Sequence, residues 1–565
     1  MFAAILMTSA LGAGVVPARE FNAGEVPSPK VFDARAYGAT GDGVTLDTGA
    51  INKAIHAAAE AGGGRVVFSP GVYVTGTFEL LSNVTLDLEA GAVIQGSKNL
   101  ADYGSTAEYG FGHTYGEDNS GEGTKAGMII ARNAQNIAIV GRGAIDGIGD
   151  EFFDFTKPHY AVDFDVQSTR QGKEIMKGVL DLGDGPVDLK PGGRPGTMII
   201  FYKCQNILVR DVTFRNAPNW TFHMEKCQRA VVSGLHILNN LLLPNNDGID
   251  CMSCKDIHFS DCDIRAGDDD FAIVGSEDIN VSNCSLVSRS SGIRLDDTRY
   301  SVFSNLSIHA NRGIAIYERG SGVTANVTFS GIVIETQLLT GHWWGKAEPI
   351  YIAALGPAEN AKAGEVRDVS FSNIIGEAEG GIVLYGDPKI VIRDISFNNV
   401  KLKIRAPRKK ASELAGGNFD IRGLAANGLF KHDIPGMYCK YVDGIRVRDV
   451  KLEWGDNLPD YFSSAIECED FRNLDINGFE GKQSPASKPA ATITLRDGHG
   501  ISIRNSRADQ GAGAFLSCVR VTGEGLFVDN DLKEAKRAME GETGGFALFG
   551  NRLPNAKEKV PLAQK

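Results

Sequence analysis

From Asn83 onward the chain repeats one small pattern: a polar residue, a few alternating apolar positions, then Asn, Asp or Gly. It reads Asn83-Val84-Thr85-Leu86-Asp87-Leu88, then Asn136-Ile137-Ala138-Ile139, Asn206-Ile207-Leu208-Val209 and Ala230-Val231-Val232. Asp256-Ile257-His258-Phe259 and Asp278-Ile279-Asn280-Val281 follow, and later copies begin near Asn326, Asp368, Asp394, Gly444, Asn473 and Gly500. Alternation over so few residues predicts short strands with one apolar side. Successive starts at 206, 230, 256, 278 and 301 differ by 24, 26, 22 and 23 residues. A period of that size means similar units stacked, each burying its face on the next. Helical stretches between the strands are few, which argues against a doubly wound sheet. The expectation is an all-β solenoid, a parallel β-helix with about three strands per coil.

Ahead of the repeat, Thr48 to Glu60 places Ile51, Ala54, Ile55 and Ala58 on one helical face, with Asp47 in position to cap it. Such a helix is a natural lid for the open end of a stacked core. Three longer excursions interrupt the repeats, at 147–196, 339–364 and 406–438. Loops of this kind leave a solenoid at its corners and can wall a cleft. One repeat domain is thus expected over 19–553, with a short unstructured tail at 554–565.

Composition narrows the class. The chain has 565 residues, 68 of them Gly, and a net charge of −12, which argues against nucleic acid and anionic membranes as partners. Residues 1–18 carry an apolar run from Phe2 to Met7 and end Val16-Pro17-Ala18, the pattern of a signal peptide without its basic start. Too short for a membrane span, it predicts export to the periplasm or beyond. Cys251 and Cys254 form a CxxC, but no second pair follows at zinc-ribbon spacing. Cys204 and Cys227, like Cys262 and Cys284, fall at matching points of neighbouring repeats, as stacked apolar thiols would.

Candidate chemistry concentrates between Asn245 and Asp270. Asn245-Asn246-Asp247-Gly248-Ile249-Asp250 and Gly267-Asp268-Asp269-Asp270 each set carboxylates before a strand, and Asp247 and Asp268 are 21 residues apart, about one coil. Stacked acids repel, which separates their pKa values. One acid kept protonated beside others left ionised is what glycosidic bond cleavage requires. Adjacent residues of a strand face opposite ways, so Asp268 and Asp269 share a site only if the backbone bends, and Gly267 suggests a bend.

Arg194-Pro195, Ile200-Phe201-Tyr202-Lys203-Cys204, and Asn216-Ala217-Pro218-Asn219-Trp220-Thr221-Phe222-His223 resemble glycoside hydrolase family 28, the polygalacturonases. So do Asn245-Asn246-Asp247, against the family's Asn-Thr-Asp, and Gly267-Asp268-Asp269, against its Gly-Asp-Asp. The resemblance runs from about Val31 to Gly320 and more loosely beyond. It implies a right-handed parallel β-helix and an inverting hydrolase that needs no cofactor or metal. Asp268 would be the general acid, with Asp247 and Asp269 holding and deprotonating the water. Acid and base are then expected roughly 6.5–9.5 Å apart.

Two family motifs are absent. The Gly-His-Gly position holds Ser290-Ser291-Gly292, so Ser291 replaces the site histidine, and the Arg-Ile-Lys position holds Ala315-Ile316-Tyr317. Arg294, one coil before Ala315, is a candidate for the relocated charge, with a surface ion pair to Asp296 or Asp297 as the other reading. Tyr317 would offer a stacking face to a neutral ring. Asn245, His223 and Trp343 complete the expected substrate-binding set, with Trp343 and Trp344 as a platform or a latch. The missing cations leave a neutral or unusual sugar as open as galacturonate, in a pectin-like or related polysaccharide. Long excursions beside the cleft point to exo action. Two competing readings are a β-helical polysaccharide lyase binding Ca2+ through its acids and a non-catalytic carbohydrate-binding β-helix.

Overall fold

A computed structural model describes residues 30–106, 125–159, 164–177, 185–341, 343–356, 363–389, 391–410, 412–421, 428–487, 490–542 and 545–554. The repeat folds as parallel strands stacked coil on coil. Ile207 lies beside Ala230, Ala230 beside Ile257, and Ile257 beside Ile279. A second stack contains Ile199–Tyr202, Phe222–Glu225, Ile249–Met252, Phe271–Val274, Ser291–Asp296 and Arg312–Glu318. It belongs to a 15-stranded sheet running from Phe78–Glu79 to Ala535–Gly541. Short strands such as Thr213–Arg215, His236–Leu238 and Asp263–Ala266 form a third stack. From Arg299 the first and third runs fuse into long bent strands such as Val323–Thr336 and Glu365–Ala378.

The polar residue that opens each repeat has a backbone reason. Asn83, Asn136, Asn206, Asp256, Asp278, Asn326, Asp368, Asp394 and Asn473 all have positive φ, and glycine takes the same place at Gly444 and Gly500. Asn and Asp tolerate this left-handed corner, which costs other side chains more. In two coils Arg229 and Tyr300 occupy it instead, one residue before the starts read from sequence. The corner also stacks. Asn136 donates to Asn83 at 2.8 Å and Asn206 to Asn136 at 2.9 Å. Inside, Phe303, Phe329, Phe371 and Phe397 pile face to face at 4.8–5.2 Å.

The helix forms over Thr48–Glu60 and buries Ile51, Ala54, Ile55 and Ala58 against the strand core. Its expected cap is not made. The Asp47 carboxylate accepts from the Thr40 and Gly41 amides at 2.8 and 3.0 Å, so it braces the preceding turn and not the helix. All nine cysteines are buried and unbridged. The Cys227 and Cys254 thiols donate across the coil boundary to the carbonyls of Phe201 and Met224.

The three excursions meet. Phe164 and Ile175 from the first, Leu338 and Ala347 at the second, and Ala415 and Leu429 from the third form one apolar cluster. The Arg170 amide donates to Asn418 Oδ1 at 2.8 Å across the same contact. The expected leader, 1–18, and the tail from 555 lie outside the described residues. Among those described, no helix is long and apolar enough to cross a membrane.

Candidate active site

Two successive corners carry the acids. The strand Asp263–Ala266 ends before Gly267 and the next begins at Phe271, so Asp268 and Asp269 occupy the bend between them. Gly267 is required by crowding and not by a left-handed turn. A Cβ there would lie 2.3 Å from the Leu243 carbonyl oxygen and 2.6 Å from Asn246 Oδ1. The same Asn246 Oδ1 accepts from the Gly267 amide, while its Nδ2 donates to the Asn240 carbonyl. Asn239 donates to the Asn246 carbonyl at 3.0 Å and to Thr221. These buried amides clamp the Asp247 corner onto the Asp268 corner.

The outcome is convergence. One oxygen from each of Asp247, Asp268 and Asp269 lies within 4.8 Å of the others. This nearest-oxygen spacing is shorter than the 6.5–9.5 Å expected between acid and base of an inverting pair. Asp269 is held firmly: its Oδ1 accepts from the Ser291 amide at 3.0 Å and Ser290 Oγ at 3.1 Å. Asp268 Oδ1 accepts from the Asp269 amide at 3.0 Å. Asp247 is buried, and its Oδ1 has no hydrogen-bond partner among the described residues.

Burial and neighbouring charge separate the protonation states. Burial, then Asp269, pushes Asp268 up to about 7, against the pull of Ser290, Arg294 and the Asp269 amide. Burial, then Asp268, Asp250 and Asp269, raises Asp247 well above the carboxylate range. Asp250 rises by burial against Arg294, and Asp270 by burial and then Asp269. A hard cation could in principle bridge the three oxygens, but it needs ionised ligands. Binding one would release the protons that burial favours on Asp247 and Asp268.

The strands on either side explain the remaining candidates. Ile249, Phe271, Ile293, Ile314 and Ile350 are in register. Two residues before each stand Asp247, Asp269, Ser291, Arg312 and Glu348, one continuous row. The next row runs His223, Asp250, Ala272, Arg294, Ala315 and Tyr351. Small alanines thus flank Arg294 on both sides. Arg294 Nη1 is 3.9 Å from Asp269 Oδ2, so it faces the acids, while Arg319 pairs with Asp296.

Tyr317 is not a free stacking face. It is buried, its hydroxyl accepts from Arg312, and the guanidinium carbons of Arg312, Arg319 and Arg294 lie 5.3, 5.6 and 6.0 Å from its ring centre. Trp343 is 3% exposed with Arg289 over its ring at 5.0 Å, which fits the latch reading and not the platform. His223 is 1% exposed and packs 5.5 Å from Trp220. The Asn245 side chain accepts from Arg194, whose guanidinium also donates to the Pro218 and Pro244 carbonyls. Ser291 Oγ is buried without a hydrogen-bond partner among the described residues.

Sequence reasoning missed a buried ionic knot. Arg312 is fully enclosed and grips Glu348 with two hydrogen bonds of 3.0 and 3.1 Å, 3.6 Å from Asp420 and 3.7 Å over the Tyr351 ring centre. Glu348 and Asp420 come from the second and third excursions. No local signal links them, since they lie outside the repeat.

Two family models match parts of the chain. A family model described as glycosyl hydrolases family 28 matches residues 188–416, and one described as rhamnogalacturonase A/epimerase, pectate lyase-like matches 31–172. An exo-poly-alpha-D-galacturonosidase of Dickeya chrysanthemi is 30% identical over 43% of this chain and 41% of its own length. A probable polygalacturonase of Vitis vinifera is 28% identical over 42% of this chain and 43% of its own. The chain thus spans less than half the length of these two relatives. The structure of the Yersinia enterocolitica family 28 exopolygalacturonase superposes with a TM-score of 0.52 at 18% identity, over 79% of this chain and 78% of that one, a likeness of fold. The acids of both matching motifs lie inside the segment that is similar to glycoside hydrolase family 28, with Ser291, Ala315 and Tyr317 where the family has His, Arg and Lys, so the chain is polygalacturonase-like over that segment and divergent from the family at those three positions.

Proposed function

We propose that this chain is an exported glycoside hydrolase acting on a pectin-like or related polysaccharide, or on its fragments. The observation that carries the reading is the meeting of Asp247, Asp268 and Asp269 within 4.8 Å, with Asp268 pushed to about 7. A carboxyl titrating there is protonated often enough near neutrality to donate to a leaving oxygen. Asp268 is therefore the acid. Asp269, fixed by Ser290 and the Ser291 amide, deprotonates the attacking water, and Asp247 helps to orient it. Asn245 and Ser291 border the site. Arg294 supplies a positive charge for a substrate carboxylate from between two alanines.

The finer architecture belongs to this reading. The coils are taken as right-handed, with three strands each, and the helix Thr48–Glu60 as the cover of their N-terminal end. The repeat domain is taken as 19–553, behind a leader that directs the chain to the periplasm or beyond. The mutual packing of the three excursions supports a wall on one side of the site, and hence exo action. The relative from Dickeya chrysanthemi is itself named as an exo-acting enzyme.

Inversion is what the family resemblance implies. Nearest oxygens within 4.8 Å are also compatible with a second reading, a retaining pair whose carboxyl groups lie about 5–5.5 Å apart. Hydrolysis of defined oligosaccharides, uronic and neutral, with the first-formed anomer followed by NMR, tests both. Inverted product supports the water mechanism, and retained product replaces it with a covalent one. No hydrolysis of any α-linked pectic fragment would overturn the proposal.

A further inference from the structure

The corner that follows the acids is made largely of serines. Ser285–Ser288 ends one strand and Ser291–Asp296 begins the next, so Ser290 sits in the bend one coil beyond Asp268 and Asp269. Two of these hydroxyls serve different groups. Ser288 Oγ bonds only backbone: it donates to the Asp268 carbonyl at 2.6 Å and accepts from the Ser290 amide at 2.8 Å. It thereby ties the two corners together and aims Ser290. Ser290 Oγ bonds carboxyl groups: it donates to Asp269 Oδ1 at 3.1 Å and also hydrogen-bonds the Asp268 side chain. At 2% exposure, Ser290 is turned inward.

We propose that Ser290 is a positioning residue for hydrolysis, one hydroxyl that joins the acid to the base and sets the pH window in which the first is protonated and the second ionised. This rests on the hydrolase reading above, with Asp268 as acid and Asp269 as base. The two carboxyl groups are otherwise evenly served. Each takes one backbone amide at 3.0 Å, Asp268 that of Asp269 and Asp269 that of Ser291. A hydroxyl has a single proton to donate, and Ser290 gives it to Asp269. Donors stabilise an ionised carboxylate, so this one bond breaks the tie. Asp269 holds its charge, and Asp268, pushed up by burial and by that charge, holds its proton. The other titratable and charged groups facing the pair are Asp247, Asp250, Asp270, Arg294 and Tyr317, which act on it whether or not Ser290 is there.

The test is the pH–rate profile of the full chain carrying Ser290→Ala, on a defined oligosaccharide. At the optimum of the unmutated chain kcat should fall roughly tenfold, with KM within about twofold because Ser290 binds no part of the substrate. The acidic limb, where the base gains a proton, should rise by about one pH unit, and the alkaline limb by less, so the active window narrows. Ser290→Thr keeps the hydroxyl and should restore both limbs. Ser288→Ala is the control: it removes hydrogen bonds from the same turn but from no carboxyl, so its limbs should stay where they are. Equal displacement in the two alanine variants, or none in Ser290→Ala, overturns the inference. Should Ser290→Ala fail to fold, Ser290→Cys, a weaker donor of similar size, should move the acidic limb the same way, and an unmoved limb there overturns the inference too. Hydrolysis with unmoved limbs would sink the role of Ser290 and leave the hydrolase intact. No hydrolysis by the unmutated chain, with Asp carboxyl carbons that still titrate higher by NMR in Ser290→Ala, would do the opposite.

Discussion

Two clusters of buried charge stand on one face of the coil, a few strands apart, and they are built in opposite ways. Around Arg312 the groups answer each other. Glu348 takes both ends of the guanidinium and the Lys346 amide, and Tyr317 and Asp420 contact the same guanidinium. Around Asp247 the groups are left wanting: Asp247 Oδ1, both oxygens of Asp250 and Ser291 Oγ have no hydrogen-bond partner among the described residues. A paired buried cluster specifies shape, because any other arrangement strands a charge. An unpaired one holds its potential for whatever enters. The first ties two excursions to the coil that borders the proposed site, and the second is that proposed site.

The sharpest break in this comparison is at the acid. Asp268→Asn keeps the size of the side chain and removes its proton, and is expected to lower hydrolysis by about 10²–10⁴-fold, the usual share of a general acid. Turnover of a defined oligosaccharide measures it. Activity within a few-fold of the unmutated chain would move the acid elsewhere. In the knot the same kind of change acts on folding. Glu348→Ala strands the Arg312 charge and is expected to destabilise the chain by about 3–5 kcal/mol in denaturant titration. Replacing both partners, Arg312→Met with Glu348→Leu, should be milder than the single change. If the single change is harmless, the knot is not what anchors the excursions.

What could be read in the sequence follows the same division. The coil was legible because its corner demands a left-handed backbone, and that demand writes Asn, Asp or Gly at a regular interval. Asp247, Asp268 and Asp269 were legible because one period separates two short runs. The knot was not, because Arg312 lies 36 residues from Glu348 and 108 from Asp420, with an aperiodic excursion at each partner. Nor could sequence tell that guanidinium groups surround the Tyr317 ring, closing the face a sugar would need. Asp47 misled for a related reason: a carboxylate before a helix satisfies whichever amides lie nearest, and here they belong to the turn at Thr40 and Gly41. Asn246 was visible inside its motif, but its part as a clamp needs the fold.

Arg294 is the one cation that faces the unpaired cluster among the described residues, and its removal sharpens the contrast at an intermediate scale. Its charge opposes the rise of Asp268, Asp247 and Asp250. Arg294→Met should therefore push Asp268 further above about 7. The alkaline limb of the pH–rate profile, where the acid loses its proton, then moves to higher pH. For a substrate carrying a carboxylate, kcat/KM should also fall roughly tenfold or more, the weight of a charge-assisted hydrogen bond. A neutral substrate should keep its kcat/KM. An unmoved pH limb would mean that Arg294 is screened from the acids.

The smallest effect is the most telling about design. In the unfolded chain Asp268 titrates near 3.8, and in the folded chain at about 7. Between those values the folded state holds the proton and the unfolded state does not. The contribution of Asp268 to stability is thus fully present below 3.8 and is lost as pH rises through about 7. Asp268→Asn removes that loss, so its melting temperature should exceed that of the unmutated chain by a few degrees at pH 8 and match it near pH 4. Calorimetry at the two pH values checks this, and an offset independent of pH would show a carboxyl that is not strained by burial. The sign is the point. Neutralising an acid in the paired knot should destabilise the chain, whereas neutralising one in the unpaired cluster should stabilise it while lowering turnover. Reactivity at this site is held against stability, and Glu348 and Asp420 are part of the framework that keeps the strained corner in place.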